Sequence, residues 1–506
     1  MTARRRWLVD AVASALVAVA IWAFFGHAFL NYDSMYALVW GDDVAHGRAP
    51  EYDAPVAPTP HPLAIAVGAA LSVLGDEAAE AAFLALVLLG FGALVVGLFR
   101  LGGESFTLAV GALAALVFLT RVPPLNYGIR GYVDLPTVAL IVWAAVLEAR
   151  RPRRGPAVLV LLGLAGLLRP EAWLFAALYW VWLVVPVGQA ERAAARLPAW
   201  AQRLGYALAG ACPPRRAWRE RLGLALLAAA APLVWALSDL AVTGDALWSL
   251  HGTSDLAAQL ERPTGIERVP ELLPRRLGEI LRLPELICAV AGAAAGLLWL
   301  RRRTLVPLAV ATVNGIAYVA FAIAGLSLLT RYLFLAAAML SVLAAVAIAG
   351  WRRLPAAHPW RGRWRAAGAV LLLAVVAFAP QQAGRLSDLR ADIAERDRVR
   401  DDLRALVTGD EAARAALERC GTLFLPNHRN VPELAYWLDR RPTAIVSAIR
   451  EAPTRDGAFL APTPRAAPFS ILDPRDATLP ADEVPAGYRL AAANRSWRLF
   501  TGPACS

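Results

Sequence analysis

The sequence predicts an all-α polytopic membrane protein that ends in a small extracytoplasmic α/β domain. Three observations carry that expectation. Of the 506 residues, 58% are hydrophobic and 18% charged, whereas soluble chains run at about 45–50% apolar and about 25% charged. The apolar residues fall in runs, many of them near the roughly 20 residues that cross a hydrocarbon core. The basic residues, every one an arginine, sit in short clusters between those runs, the bias that marks cytoplasmic loops. The net charge of +11 is therefore a topology signal and not a nucleic-acid face. No glycine-rich phosphate loop follows a strand pattern, so Rossmann-type enzymes are excluded.

The arginine clusters order the crossings. Arg4–Arg6, Arg100, Arg150–Arg154, Arg192–Arg221, Arg301–Arg303 and Arg352–Arg365 are assigned to the cytoplasm. Residues 7–30 then cross outward as an uncleaved anchor, and 78–100 return. Segments 104–120 and 135–149 form a hairpin turning outside. Segments 222–242 and 284–300 flank a long outer loop, 304–324 and 332–350 turn at 326–331, and 366–380 lead out again. The stretch 156–186 is apolar except for Arg169 and Glu171. One helix of that length would span about 46 Å against a core of about 30 Å. It is read as two short helices turning outside at Arg169-Pro170-Glu171. A single tilted helix is the alternative, and it would put loop 192–221 outside. About eleven crossings result, with the N-terminus cytoplasmic, the C-terminus outside and the protein in the plasma membrane.

Residues 1–380 form the membrane domain, 381–419 a charged helical linker, and 420–506 the outer α/β domain. The last piece, Tyr488–Phe500, reads as a β-hairpin turning at Asn494. Cys420 and Cys505 bracket this domain, whereas Cys212 falls in a cytoplasmic loop and Cys288 in a membrane helix. Outside the cytoplasm a disulfide persists, so a Cys420–Cys505 bond is expected, worth roughly 4–5 kcal/mol.

Charges away from the cytoplasmic ends carry the chemistry, since a charge at mid-membrane costs at least about 2.5–3.5 kcal/mol. They gather on the outer side. The first outer loop, residues 31–62, holds Asp33, Asp42, Asp43, Glu51 and Asp53 and closes on His61-Pro62-Leu63. Arg121, Arg130 and Asp134 follow in the second, with Arg169, Glu171 and Arg331 in the short turns. Asp33 reads equally as an N-cap or as a reactive carboxylate. Asp134 likewise suits a cap, and Arg169 and Arg331 suit headgroup anchors. Asp42 and His46, spaced i, i+4 beside Asp43, are candidates for a metal, but a solvated helical face is the favoured reading because no third ligand is obvious. No cofactor is called for, and a divalent metal is left open.

Taken together these motifs resemble the GT-C glycosyltransferases, in the branch of the protein O-mannosyltransferases and the lipid A aminoarabinose transferase. The match runs through Tyr32-Asp33 after the first helix, His61-Pro62-Leu63, GYVDLP (131–136), GLLRPEAWL (166–174) and LLTRYL (328–333). It covers about residues 7–380, and the tail lies outside it. Two positions depart from the branch pattern. Ser34 stands where a second acid is common, and His61 replaces a fixed positive charge by a titratable imidazole. The resemblance implies a GT-C-like fold and a membrane glycosyltransferase. Such an enzyme takes a sugar from a polyprenyl-phosphate donor and passes it to a glycan, lipid or protein acceptor on the outer face. Asp33 would be the general base. His61, Arg130, Asp134, Arg169, Glu171, Arg331 and Tyr332 would bind substrate, with membrane lipids and no nucleic acid as further partners. The alternatives are a lipid-linked substrate transporter or flippase, and a GT-C-shaped envelope assembly protein without catalysis. A transporter calls for charges near mid-membrane and matched broken helices. The departures at Ser34 and His61 keep the non-catalytic reading open.

This topology is testable by labelling intact cells. An impermeant thiol reagent should leave Cys212 unmodified and should modify a single cysteine placed in 381–419. Labelling of Cys212 would reverse the hairpin at Arg169.

Overall fold

The structure, a computed structural model, describes residues 3–185, 217–470 and 483–505, with Arg192, Ala195, Arg196 and Gln202 in between. Most of loop 187–221, including Cys212, lies outside the described residues. The first half of the membrane domain runs α1 (Ala3–Phe25), α2 (Tyr32–Ala45), α3 (Pro62–Leu71), α4 (Asp76–Ser105), α5 (Leu108–Leu119), α6 (Val122–Ile129), α7 (Asp134–Arg150), α8 (Pro156–Leu168) and α9 (Glu171–Val184). The second half runs α10 (Trp218–Thr243), α11 (Trp248–Gln259), α12 (Val269–Leu281), α13 (Leu283–Ala295), α14 (Arg302–Ile323), α15 (Phe334–Ala349) and α16 (Arg361–Ala377). The protein is mostly helical and multi-pass. Among the described residues seven helices are long and apolar enough to cross a membrane, or eight if α5 and α6 count as one bent span.

Lipid-facing and protein-facing surfaces separate cleanly. Leu8, Leu16 and Trp22 on α1, Leu226 and Leu237 on α10, and Val370 and Leu373 on α16 are exposed, which suits hydrocarbon and not water. Helix α15 is the central strut. It is buried along its length and packs chiefly on α13, α5 and α14. At Gly292 of α13 an added Cβ would lie 1.8 Å from the Leu343 carbonyl oxygen, so only a hydrogen there lets the two backbones touch.

Several elements differ from the expectation, each for a local reason. The first crossing stops at Phe25 because Gly26 turns with φ +71. Residues 104–120 do not form one crossing. Helix α4 runs on to Ser105, and α5 has 12 residues before bending 67° into α6. Arg121 sits at that bend with its guanidinium 2.7 Å from Glu285, and Pro123-Pro124 opens α6, where missing N–H groups cost nothing. The first loop is not extended chain: residues 32–45 form a helix, as the capping reading of Asp33 allowed, and 62–71, for which the sequence suggested no element, form a second. Between α8 and α9 the chain does break at Arg169-Pro170, because proline cannot continue the hydrogen-bond ladder. With 13 and 14 residues, these are among the shorter apolar helices.

Helix α17 (Ala379–Arg404) carries the chain away from α16, and α18 (Glu411–Arg419) follows it. A five-stranded sheet then forms from β1 (Leu423–Leu425), β2 (Ile445–Ser447), β3 (Ala458–Pro462), β4 (Arg489–Ala493) and β5 (Trp497–Thr501), with α19 (Val431–Trp437) between β1 and β2. The strand order is β2-β1-β3-β5-β4. β1 pairs parallel with β2 and β3, while β5 runs antiparallel to both β3 and β4. Cys420 and Cys505 are disulfide-bonded.

Two elements that carry the outer loop touch backbone to backbone. A Cβ at Gly68 of α3 would lie 2.5 Å from the Ala37 carbonyl oxygen, and one at Gly41 of α2 would lie 2.5 Å from the Ala69 nitrogen. Gly68→Val should therefore push α2 off α3 and lower stability by about 1–3 kcal/mol. A thermal melt of the purified protein followed by tryptophan fluorescence reads this directly, and an unchanged midpoint would disprove the close packing.

Candidate active site

At the start of α2 the cap and the reactive carboxylate are different residues. Asn31 is the N-cap, and its side-chain oxygen accepts from the Asp33 and Ser34 backbone N–H groups. Asp33 is thereby released from capping, which the sequence left open, and its carboxylate turns into the bundle. Ser34, where the resemblance favours an acid, donates its hydroxyl to the Gly131 carbonyl at 2.6 Å. Gly131 has φ +65, a left-handed turn that glycine adopts without strain. A carboxylate at 34 would face that carbonyl with no proton to give, so the serine pins α2 to the second outer loop.

Five of the expected residues converge in one ion-pair cluster. Arg331 donates from Nη1 to Asp33 Oδ2 at 2.8 Å, and its Nε is 3.9 Å from Asp134 Oδ1. Arg169 lies 3.0 Å from Asp134 and 3.2 Å from Glu171. Asp134 opens α7, but it does not cap it: no side-chain cap bond forms there. It is a shared counter-charge between two arginines, 4% exposed. Tyr332 supplies the floor, with Arg169 over its ring at 4.7 Å and Arg331 at 5.7 Å. Such contacts hold a guanidinium without spending its hydrogen-bonding fork.

His61 lines the same pocket. Its ring is buried, edge-on to Trp235 at 5.9 Å, and Nδ1 has no hydrogen-bond partner. The sequence reading gave it a titration near neutrality. Burial, reinforced by the Arg169 charge, instead pushes its pKa down to about 3, so the imidazole is neutral throughout the physiological range. Burial pushes the Asp33 pKa up, but Arg331 and Arg169, acting together with its other neighbours, outweigh burial and the carboxyl titrates below its ordinary value. Asp33 is a carboxylate at any working pH.

The remaining expected residues sit elsewhere. Arg130 is outside the pocket lining and rests against the Phe29 and Tyr132 rings, at 5.9 and 5.7 Å. Arg121 is spent on Glu285. Asp42, Asp43 and His46 do not form a metal centre, because Arg48 binds both carboxylates, at 2.7 Å to Asp42 and 2.8 Å to Asp43. Among the described residues no group of three or more His, Cys, Asp or Glu is placed to hold a metal.

The pocket also contains residues that the sequence reading missed. Arg262, from the loop after α11, and His428 and Arg429, from the loop after β1, line it with Tyr32 and Thr253. The His428 ring is edge-on to Tyr32 at 5.5 Å, and the Arg429 guanidinium lies 5.8 Å from the same ring. The cavity is small, about 40 Å³, because Arg331 reaches across it to Asp33.

A helix bundle whose first loop sets an acid among arginines from two later turns belongs to a polytopic membrane protein. Solved structures carry this further. The chain is similar to ArnT from Cupriavidus metallidurans bound to undecaprenyl phosphate, with TM-score 0.51 and 13% identity over 98% of this chain and 97% of that one. It is equally similar to the apo state of that protein, with TM-score 0.50 and 13% identity over 99% and 98% of the two chains. At this identity the likeness is one of fold. No family model and no curated protein matches the sequence.

Because His61 titrates near 6.5 when unfolded and near 3 when folded, the unfolded chain binds the extra proton between those values. Its contribution to stability is therefore lost as pH falls from about 6.5 toward 3. His61→Gln should flatten the decline in melting temperature between about pH 6.5 and 4.5. An unchanged slope would mean that His61 is accessible to protons in the folded protein.

Proposed function

We propose that the protein is a membrane glycosyltransferase moving a sugar from a polyprenyl-phosphate donor to an acceptor on the outer face, with Asp33 as general base. The observation that carries this reading is the Asp33–Arg331 pair at the outer end of the bundle. In this reading the two side chains, within one hydrogen bond of each other, serve as base and phosphate-binding group. An apolar groove of about 510 Å³ lies alongside, between α1, α3, α4, α7 and α8. Its lining residues Leu63, Val133 and Leu168 are chain neighbours of His61, Asp134 and Arg169, so a lipid chain in the groove would bring its phosphate to the arginines. The undecaprenyl phosphate bound to the similar ArnT structure supports a donor of that class.

The chemistry follows from these positions. The acceptor hydroxyl oxygen attacks the anomeric carbon while its proton passes to Asp33. The bond from that carbon to the phosphate oxygen breaks, and its electron pair leaves on the phosphate. Arg331 and Arg169 hold that developing charge through permanent, planar donors. One displacement with one base inverts the anomeric centre. Asp134 and Glu171 position the arginines, and His61, neutral and lacking a partner at Nδ1, is free to hydrogen-bond to the sugar or phosphate. In this reading the outer-loop helices and the C-terminal domain face the outside, with the N-terminus in the cytoplasm.

Asp33→Asn should lower transfer from an undecaprenyl-phosphate sugar by roughly 10²–10⁴-fold at unchanged protein level. Arg331→Lys keeps the charge but loses the fork, and it should lower transfer while leaving membrane insertion intact. Near-normal transfer by Asp33→Asn would remove the base, and near-normal transfer by Arg331→Ala would reduce that arginine to a headgroup anchor.

A further inference from the structure

Helix α15 begins without a cap of its own. Leu333 stands at the N-cap position and offers no side-chain bond, although the first turn of a helix leaves N–H groups without partners inside the helix. The acceptor comes from another helix. Asn314, near the middle of α14 and 2% exposed, takes the Ala336 backbone N–H on its side-chain oxygen at 2.9 Å. Its side-chain nitrogen donates to the Tyr332 carbonyl at 3.0 Å. One amide thus does for α15 what an N-cap side chain does for its own helix, and it also holds the residue that follows Arg331.

The turn held in this way carries the site. Before Arg331 the chain is tied twice. Leu328 N–H donates to the Pro263 carbonyl at 2.8 Å, and the Thr330 hydroxyl donates to Glu279 of α12 at 3.0 Å. Arg276 fixes Glu279 in turn, at 2.9 Å. After Arg331 the hold is Asn314. The backbone on either side of the arginine is therefore gripped by a side chain from a different helix. With the backbone so fixed, Arg331 meets Asp33 at 2.8 Å, and the Tyr332 ring lies under Arg169 at 4.7 Å.

An amide inside a membrane helix needs partners. Both of those that Asn314 takes belong to the Arg331 turn and the first turn of α15. Resting on the donor reading above, we propose that Asn314 is a positioning residue of the site. It fixes the Arg331-Tyr332 backbone, and through it the point at which Arg331 and Arg169 meet the donor phosphate.

The test uses the full-length protein in detergent, with undecaprenyl phosphate as the probe. Asn314→Leu keeps the approximate volume and removes both bonds. It should weaken binding of undecaprenyl phosphate about tenfold, within the range of couplings in one hydrogen-bond network, in protein that circular dichroism shows to be folded. The same substitution is then made in Arg331→Lys protein. If Asn314 acts through Arg331 the two losses do not add, and Asn314→Leu should cost less than about twofold there. Should Asn314→Leu not fold, Asn314→Ser, which keeps a hydroxyl but cannot make both bonds, enters the same comparison.

Unchanged binding in the single variant, or a loss that adds in full to that of Arg331→Lys, would overturn the proposal and leave Asn314 as a link between two helices. If the wild type does not bind undecaprenyl phosphate, the donor reading falls. In that case, or if Arg331→Lys alone abolishes binding, the hold on the Arg331 turn is judged by melting temperature. Losses that fail to add support it, and additive losses refute it.

Discussion

A guanidinium buried at one end of a membrane helix bundle cannot be left without a counter-charge, and the geometry of this protein follows from how that requirement is met. Arg331 is fixed in sequence at the turn before the central helix α15, so its place is set by the best-packed element of the fold. Its side chain is 13% exposed, too buried for water to solvate it fully. Asp33 and Asp134 supply the opposite charge from two different segments. The start of α2 and the start of α7 are thereby drawn to one point, and Arg169 joins them through the same Asp134. Breaking one partner of such a buried cluster leaves an uncompensated charge, so the cluster organises the outer surface as well as any chemistry done there.

Precision in that cluster depends on the helices that carry its members. Asn31 takes over the capping of α2, Ser34 ties it to Gly131, and Gly41 against Gly68 lets α2 and α3 touch. Asp33 and His61 consequently sit on two backbones in direct contact. From above, α19 packs against α2, and Arg400 links Glu80 of the membrane domain to Glu433 of the tail, its guanidinium over Trp437 at 4.9 Å. Buried ion triads of this kind add little net stability but fix one arrangement. Here the arrangement they fix brings His428 and Arg429 beside Tyr32.

The sequence made the membrane domain legible because hydrocarbon favours long apolar helices, and seven of them form among the described residues. The break at Arg169-Pro170 was readable for the same reason, since no single helix of that length fits the core. What was hidden depends on side-chain geometry or on the tail. Asp33 could not be told from a cap until Asn31 was seen to hold the cap position. Arg130 and Arg169 were equal candidates for the phosphate, yet Arg169 meets two carboxylates while Arg130 rests against aromatic rings. Arg262, His428 and Arg429 carry no motif, and only the fold of the tail over α2 brings them to the pocket. A helix after Asp33 was readable from its capping pattern and from the i, i+4 spacing of Asp42 and His46, whereas the bounds of α2 and the whole of α3 were not. The fall of the His61 pKa was equally invisible, because it comes from burial and not from neighbours in sequence.

The Asp33–Arg331 contact bears on timing in the proposed reaction. A carboxylate bonded to a guanidinium is a weak base, and Asp33 titrates below its usual range for that reason. An incoming phosphate competes for the same planar donors, and bidentate arginine–phosphate contacts are among the stronger hydrogen bonds available. As the donor phosphate takes Arg331, Asp33 loses the interaction that suppressed its basicity while staying buried, and its affinity for a proton rises. In that proposed reaction Asp33 would be the weaker base before the donor phosphate arrives and the stronger one once the leaving group is in place. In the proposed enzyme the same arginine would hold the leaving group and release the base, which couples the two halves of the displacement without any third moving part.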